Sequence, residues 1–422
     1  LRSCRLYYQM EMFKLRHLDS LIVTILFASL PVDMINGILL KSNNVLPVSI
    51  GQIFKTLVLI LIFVRFLFSV KYLIISIFLF FLLLIPSFYQ LVINSENSSF
   101  LFDIVKVSRY LLPLFSLLFF IPIIRRKDQS IIRMLFNLVK FSYIILVGNI
   151  LLKLFGLGYP MYEEGNIGSK GYFFAGNEIS VLLIILASII AFDLWLRKRR
   201  GLYILFLILN IMVGVMVSSK TGLIGIGLIF LLIPIKKPTR KFGLKKLKGV
   251  IITSIIALPL GLLVTWRIIK NSPIFDRFSF FWDKLDFWTF VLSSRNKFFG
   301  RAYENYKENY NLIEKFIGVG QSKYEALNQG KIVEMDVADI FFAYGIFGLI
   351  LFLFLTYVLW IQLLRLRRYS AFYFANFVFL MVLVLLSIST MAGHVFSSGM
   401  AGIFIGLLIS LMYLKLDDKT SK

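Results

Sequence analysis

The chain has 422 residues, 59% of them hydrophobic, with 46 Lys and Arg against 22 Asp and Glu, a formal charge of +24. Soluble domains are nearer half apolar and do not repeat uninterrupted apolar runs of about twenty residues, so a soluble fold is excluded. The runs are continuous rather than alternating in ~10-residue segments, which excludes a membrane β-barrel. One cysteine, Cys4, allows no internal disulfide, and His17 and His394 stand far apart, so no zinc-type cluster is predicted.

The pattern predicts an all-α polytopic membrane protein forming a single membrane domain over residues 1–422. About twelve spans are expected, each near the ~20 residues a bilayer requires. They fall at 18–40, 49–68, 72–93, 104–124, 131–155, 172–196, 201–217, 221–235, 249–268, 338–361, 371–391 and 396–414. The first, near Leu18, is long enough to stay in the membrane as an anchor. The basic loops "RRK", "RKRR", "KKPTRKFGLKKLK" and "RLRR" lie on one side, the cytoplasmic one by the positive-inside rule. "INSENSSF", "GYPMYEEGN" and "AGHVFSSG", nearly free of Lys and Arg, lie on the other. Both termini are thus expected in the cytoplasm. The basic runs act as orientation signals, and no nucleic-acid partner is implied.

Residues 269–337 form one large loop on the outward side. Phe278, Phe281, Trp282 and Leu285 follow helical spacing, opposite Asp276, Arg277, Asp283 and Lys284, which predicts a helix lying in the membrane interface. A polar helix bearing Tyr303, Tyr306 and Tyr310 follows, ending before the Gly318–Val319–Gly320 turn.

Four stretches could carry chemistry. "VSSKTGLIGIG" places Lys220 at the outer membrane surface, where an intramembrane charge is costly and points to function. Its near-match to a phosphate-binding P-loop fails, because Ser219 stands where Gly is required and no strand precedes it. "SSRNKFF" supplies Arg295, and Arg267 and Lys270 stand where the ninth span ends; guanidinium forks suit phosphate oxygens. "VEMDVADIFFAYGIFG" places Glu334, Asp336 and Asp339 at the mouth of the tenth span. One acid there suits the helix dipole and a cap. A second could serve as general base, and the Glu-x-Asp spacing could instead hold a divalent ion. "SKGYFFAGNEIS" brings Asn177 and Glu178 into the sixth span, and a buried Glu178 would need a partner such as Lys170 or Lys220.

Together these stretches resemble the O-antigen polymerase (Wzy-type) and O-antigen ligase family of bacterial surface-polysaccharide enzymes. "GYFFAGNEIS", "SSKTGLIGIGLIFLL" and "SSRNKFF…FIGVGQ…VEMDVADIFFAYGIFGLILFL" carry the resemblance, over about residues 170 to 360. It implies a helical core, a periplasmic loop capping a lateral lipid entrance, and a glycan on undecaprenyl diphosphate as substrate. It implies an inner-membrane enzyme with a periplasmic site, no cofactor, membrane lipids as surroundings, and a chain-length regulator as a further partner. Glu334 or Asp336 would be the base; Arg295, Lys220 and Arg267 would hold the diphosphate; Asn177, Glu178 and Tyr344 would contact substrate. Family ligases commonly carry a His eleven residues before the helix Gly, where this chain has Glu334 before Gly345. That departure favours a polymerase. The alternatives are a ligase whose acceptor is lipid A-core, or a flippase for the same lipid-linked unit, although no second, related half is visible.

Overall fold

The computed structural model describes residues 15–42, 49–94, 97–234, 284, 286–391 and 393–415. In chain order the helices are α1 (Leu15–Lys41), α2 (Ile50–Phe66), α3 (Val70–Asn94), α4 (Asn97–Arg125), α5 (Gln129–Leu151), α6 (Gly176–Leu196), α7 (Arg200–Val217) and α8 (Lys220–Leu232). After them come α9 (Phe287–Val291), α10 (Arg295–Asn309), α11 (Leu312–Ile317), α12 (Gly320–Leu327), α13 (Asp336–Leu366), α14 (Tyr373–Met391) and α15 (Gly402–Ser410). No strand forms among the described residues.

The all-α, multi-pass expectation is borne out. Among the described residues, eight helices, namely α1, α3 to α7, α13 and α14, are long and apolar enough to cross a membrane. The spans expected at 49–68, 221–235 and 396–414 are shorter helices. In the last of these, residues 393–401 are irregular and only the second half is helical. The ninth expected span and the amphipathic interface helix lie outside the described residues.

Apolar side chains cover these helices on all sides, as befits elements whose outer face meets lipid. α6 sits at the centre, its residues Val181 to Ile189 almost wholly buried. α3 and α13 instead expose Ile74, Phe78, Leu353 and Phe354 at the periphery. α15 packs closely on α4. A Cβ on Gly402 would stand 3.1 Å from Leu112, and one on Gly406 would stand 2.5 Å from Ser116. Small residues four apart let two backbones meet where no hydrophobic drive assists.

At one end of the bundle Asp19, fully buried, accepts hydrogen bonds from Arg65 Nε at 2.7 Å and from Arg126. Removing one partner of a buried pair leaves charge stranded, so Asp19→Ala is expected to cost about 3 kcal/mol. A thermal midpoint in detergent unchanged by this substitution would refute that role.

Helices α9 to α12 cap the other end. α11 begins with a capping box between Asn311 and Glu314. Four contacts tie this cap to α3 and α4. Gln90 donates to Glu314 at 2.7 Å, Lys323 donates to Gln90 Oε1 at 3.1 Å while pairing with Glu314 at 2.6 Å inside the cap, Lys106 pairs with Glu325 at 2.8 Å, and Asp103 accepts from the Ser322 N–H at 2.7 Å. Burial alone would raise the Glu314 pKa. Hydrogen bonds from Lys323, the Asn311 N–H and Gln90 outweigh it and hold the value below the ordinary one. A carboxylate depressed in this way stabilises the fold above its unfolded pKa, and that stabilisation is lost as pH falls through the folded value. The cap is therefore expected to loosen only in acid below the usual glutamate range. Glu314→Gln should flatten that part of a stability-against-pH curve, and an unaltered acid limb would disprove the linkage.

Candidate active site

Two serine turns, each leading into a helix, carry the candidate cations. In "SSK", Ser218 adopts φ 59°, Ser219 accepts from the Gly222 N–H at 3.3 Å, and Lys220 becomes the first residue of α8. In "SSR", Ser293 and Ser294 adopt φ 52° and 66°, and Arg295 becomes the first residue of α10. A cation at a helix N-terminus opposes the macrodipole at a cost of roughly 0.3–1 kcal/mol. Doing this twice concentrates positive potential, which suits an anion. The two side chains meet the same short segment. Lys220 Nζ donates to the Phe290 carbonyl at 2.7 Å and lies 3.6 Å from the centre of that ring. Arg295 Nη1 donates to the Leu292 carbonyl at 3.3 Å.

Arg295 also reaches the first of the three acids. Its Nη2 lies 2.9 Å from Glu334 Oε2, and its Nε donates to the Glu334 carbonyl at 3.0 Å. Asn177 Nδ2 donates to the same Oε2 at 3.2 Å. The Glu334 side chain keeps 37% of its surface exposed, against 10% for Arg295, so the carboxylate stays reachable. Its backbone sits at φ 63°, a left-handed conformation that costs a non-glycine residue of order 1–3 kcal/mol and clusters at functional sites.

Asp336 and Asp339 are buried completely. Asp336 accepts from the Val395 N–H at 2.8 Å, the Phe396 N–H at 3.0 Å and Ser397 Oγ at 2.7 Å. Asp339 accepts from Tyr324 Oη at 2.7 Å and from the Val333 and Met335 N–H groups at 3.0 and 3.1 Å. Glu178 accepts from Ser398 Oγ at 2.5 Å and the Met400 N–H at 2.8 Å. Neither Lys170 nor Lys220 is its partner. Burial and the charge of Lys41 instead hold the Lys170 pKa below the usual lysine value. Asp336 and Glu178 thus grip residues 395–400 from two sides. Irregular backbone between membrane helices requires such partners, because each N–H left unmet in an apolar setting is costly. That grip has a sequence signal, the Gly- and Ser-rich "GHVFSSGMAG" before a helix too short to span.

The first turns of α13 are set by a glycine joint. Gly345 takes φ 66° and ψ −168° inside α13, and Gly318 takes φ 93°. A Cβ on Gly345 would lie 2.4 Å from the Phe316 carbonyl, and one on Gly318 would lie 2.2 Å from the Ala343 carbonyl. The Val319 N–H donates to that same carbonyl at 3.1 Å. Tyr344 is buried, and its hydroxyl meets no hydrogen-bond partner among the described residues. It lines a largely apolar cavity of about 520 Å³ that begins at Tyr110, Ile340, Tyr344 and Phe396 and reaches Arg125 and Gln362. Arg267 and Lys270 lie outside the described residues. No cluster of three His, Cys, Asp or Glu side chains that could hold a metal ion forms among the described residues.

A family model for O-antigen ligase-like membrane proteins matches residues 21–287 and 282–419. The chain belongs to that family. O-antigen ligase-like proteins are membrane enzymes of glycan processing, of the glycosyl-transfer type, with lipid-linked glycans and membrane lipids as their surroundings. No curated protein and no solved structure matches the chain. Within this O-antigen ligase-like chain, Arg295 links Glu334, which Asn177 also holds, to the end of α9, where Lys220 bonds as well.

Proposed function

We propose that this protein polymerises a surface polysaccharide, moving a glycan from undecaprenyl diphosphate to a sugar hydroxyl of a second lipid-linked repeat unit. The observation that carries this reading is the Glu334 carboxylate held between Arg295 and Asn177, with Lys220 on the adjoining turn. The capped end then faces the periplasm, the basic loops and both termini face the cytoplasm, and the membrane is the bacterial inner membrane. The apolar cavity offers room for part of a polyprenyl tail, and the orphan Tyr344 hydroxyl offers one hydrogen bond at its capped end.

In the reaction the acceptor oxygen attacks the anomeric carbon and the bond from that carbon to the diphosphate oxygen breaks. The electron pair leaves with the diphosphate, and the hydroxyl proton passes to Glu334. In-line displacement inverts the anomeric centre. Arg295 and Lys220 stabilise the charge that develops on the leaving group. At rest Arg295 neutralises Glu334. An arriving diphosphate competes for the guanidinium and releases the carboxylate for proton transfer, so substrate binding switches on the base. Asp336, with all its bonds directed to residues 395–397, positions the wall behind Glu334.

The test is an assay of purified protein with lipid-linked repeat units alone. A polymerase lengthens the glycan without any ion gradient; failure to lengthen it defeats the reading. Arg295→Ala should remain in the membrane yet lose about 2–4 kcal/mol of transition-state stabilisation, the scale of one preorganised donor. Normal chain ladders from that variant would rule out the diphosphate role. One rival fits the ligase-like family match equally well, transfer to a lipid A-core acceptor. Product analysis with both acceptors present separates the two.

A further inference from the structure

α10 starts at Arg295 and carries Phe299, Tyr303 and Tyr306 four, eight and eleven residues further on, which is one stripe of a helix. At ~1.5 Å per residue, Phe299 and Tyr303 stand about 6 and 12 Å along the helix axis from the backbone of Arg295, whose guanidinium binds Glu334. The Phe299 and Tyr303 rings are nearly parallel, 6° apart with centres 6.4 Å apart, and Tyr303 and Tyr306 follow at 24° and 6.5 Å. Phe299 is 41% and Tyr303 51% exposed; Phe299 touches Phe342 of α13, and Tyr306 leans on both Phe341 and Phe342. The reaction at Glu334 does not use these rings, and packing leaves Phe299 and Tyr303 about half exposed.

We propose that this face of α10 is a saccharide shelf, on which the glycan of the lipid-linked substrate lies as it runs away from the reacting bond. The shelf rests on the glycosyl-transfer reading above and adds to it a place for the sugars. A pyranose ring presents axial C–H groups with partial positive charge on one flat side, and these settle on the negative π face of an aromatic ring. Rings held parallel and half exposed four residues apart on one ledge suit successive units of such a chain. Glu304 and Lys307, exposed beside Tyr303, offer an acceptor and a donor to the hydroxyls at the ring edges. Gly300, the next residue after Phe299, leaves the ledge open: a Cβ there would meet nothing within 4 Å. Acyl chains are the poorer occupant. α11 exposes Leu312, Ile313 and Phe316, the composition of a lipid-facing edge, whereas α10 sets its rings among Lys297, Glu304, Lys307 and Glu308.

The test measures binding without turnover. Full-length protein in nanodiscs is titrated with soluble oligosaccharides released by mild acid from the host's own surface polysaccharide, and saturation-transfer NMR reads contact with the sugar C–H protons. Tyr303→Leu keeps bulk and apolarity but removes the flat face; Gly300→Leu keeps the rings and covers them from open space. Each is expected to weaken binding about two- to tenfold, and Tyr303→Trp to restore it. Equal binding in Tyr303→Leu and wild type overturns the shelf. So does a Tyr303→Leu effect confined to partition of the protein into lipid vesicles, which would make the stripe a membrane contact. Binding that depends on Tyr303 in a protein unable to lengthen glycans would sustain the shelf and defeat the polymerase. Chain growth with Tyr303-independent binding would do the reverse.

Discussion

Glu334→Gln is expected to reduce polymerisation by roughly 10²–10⁴-fold, the usual contribution of a positioned general base, while leaving protein abundance and melting behaviour close to wild type. The amide keeps the shape and still accepts from Arg295 and Asn177, so the fold has little reason to change. Asp336→Asn should behave in the opposite way. Its carboxylate accepts two backbone N–H groups and one hydroxyl in a wholly buried place. An amide can keep both N–H bonds through its oxygen and donate to Ser397, whose hydroxyl then reverses, but the charge that strengthens all three bonds is lost, so stability and abundance should fall. The two variants are compared by in vitro chain growth normalised to folded protein. If both retain full polymerisation per folded molecule, neither carboxylate is the base.

Gly345→Ala is expected to be the most damaging single change to the fold. The backbone at φ 66° and ψ −168° belongs to a region that is essentially reserved for glycine. The added methyl would also press on the Phe316 carbonyl at 2.4 Å, a backbone atom that cannot swing aside. Conformational strain of about 1–3 kcal/mol then adds to overpacking of similar size. The joint between α11 and α13 opens, and with it the setting of Glu334 and Asp336. Size-exclusion profiles and detergent melting should show an aggregated or destabilised protein. A monodisperse Gly345→Ala variant with a wild-type midpoint would show that the joint tolerates a side chain.

How much of this could be read from the residues in order follows the range of each interaction. Apolar runs and basic loops are local, and they give the helical, multi-pass class. The cation-bearing turns are local too, since Ser218 to Lys220 and Ser293 to Arg295 are each a single turn with a left-handed serine leading into a helix. The meeting of Gly318 with Gly345 is visible as two glycine motifs, yet nothing in either motif says that they touch. The acids are harder. Glu334, Asp336 and Asp339 look interchangeable in sequence, and what separates them is that Asp336 meets residues 59 to 61 positions later while Glu334 meets Arg295, 39 positions earlier. Glu178 carries the same lesson, because its partners lie 220 and 222 residues on. A charge-pairing rule points it to Lys170 or Lys220; the structure gives it a hydroxyl and a backbone N–H. The last expected span fails as a full helix because three N–H groups of residues 395–400 find carboxylates instead of helix carbonyls, and two serine hydroxyls join them there.

That grip on residues 395–400 sets an order of events. Glu178 and Asp336 both leave the ribosome before the segment that will occupy them. Until α14 and the half-helix after it have entered the bilayer, two carboxylates stand in the bundle without their hydrogen-bond donors. The wall behind Glu334 is therefore finished late in biosynthesis, and a nascent chain halted after α13 would hold every proposed catalytic group and still be inert.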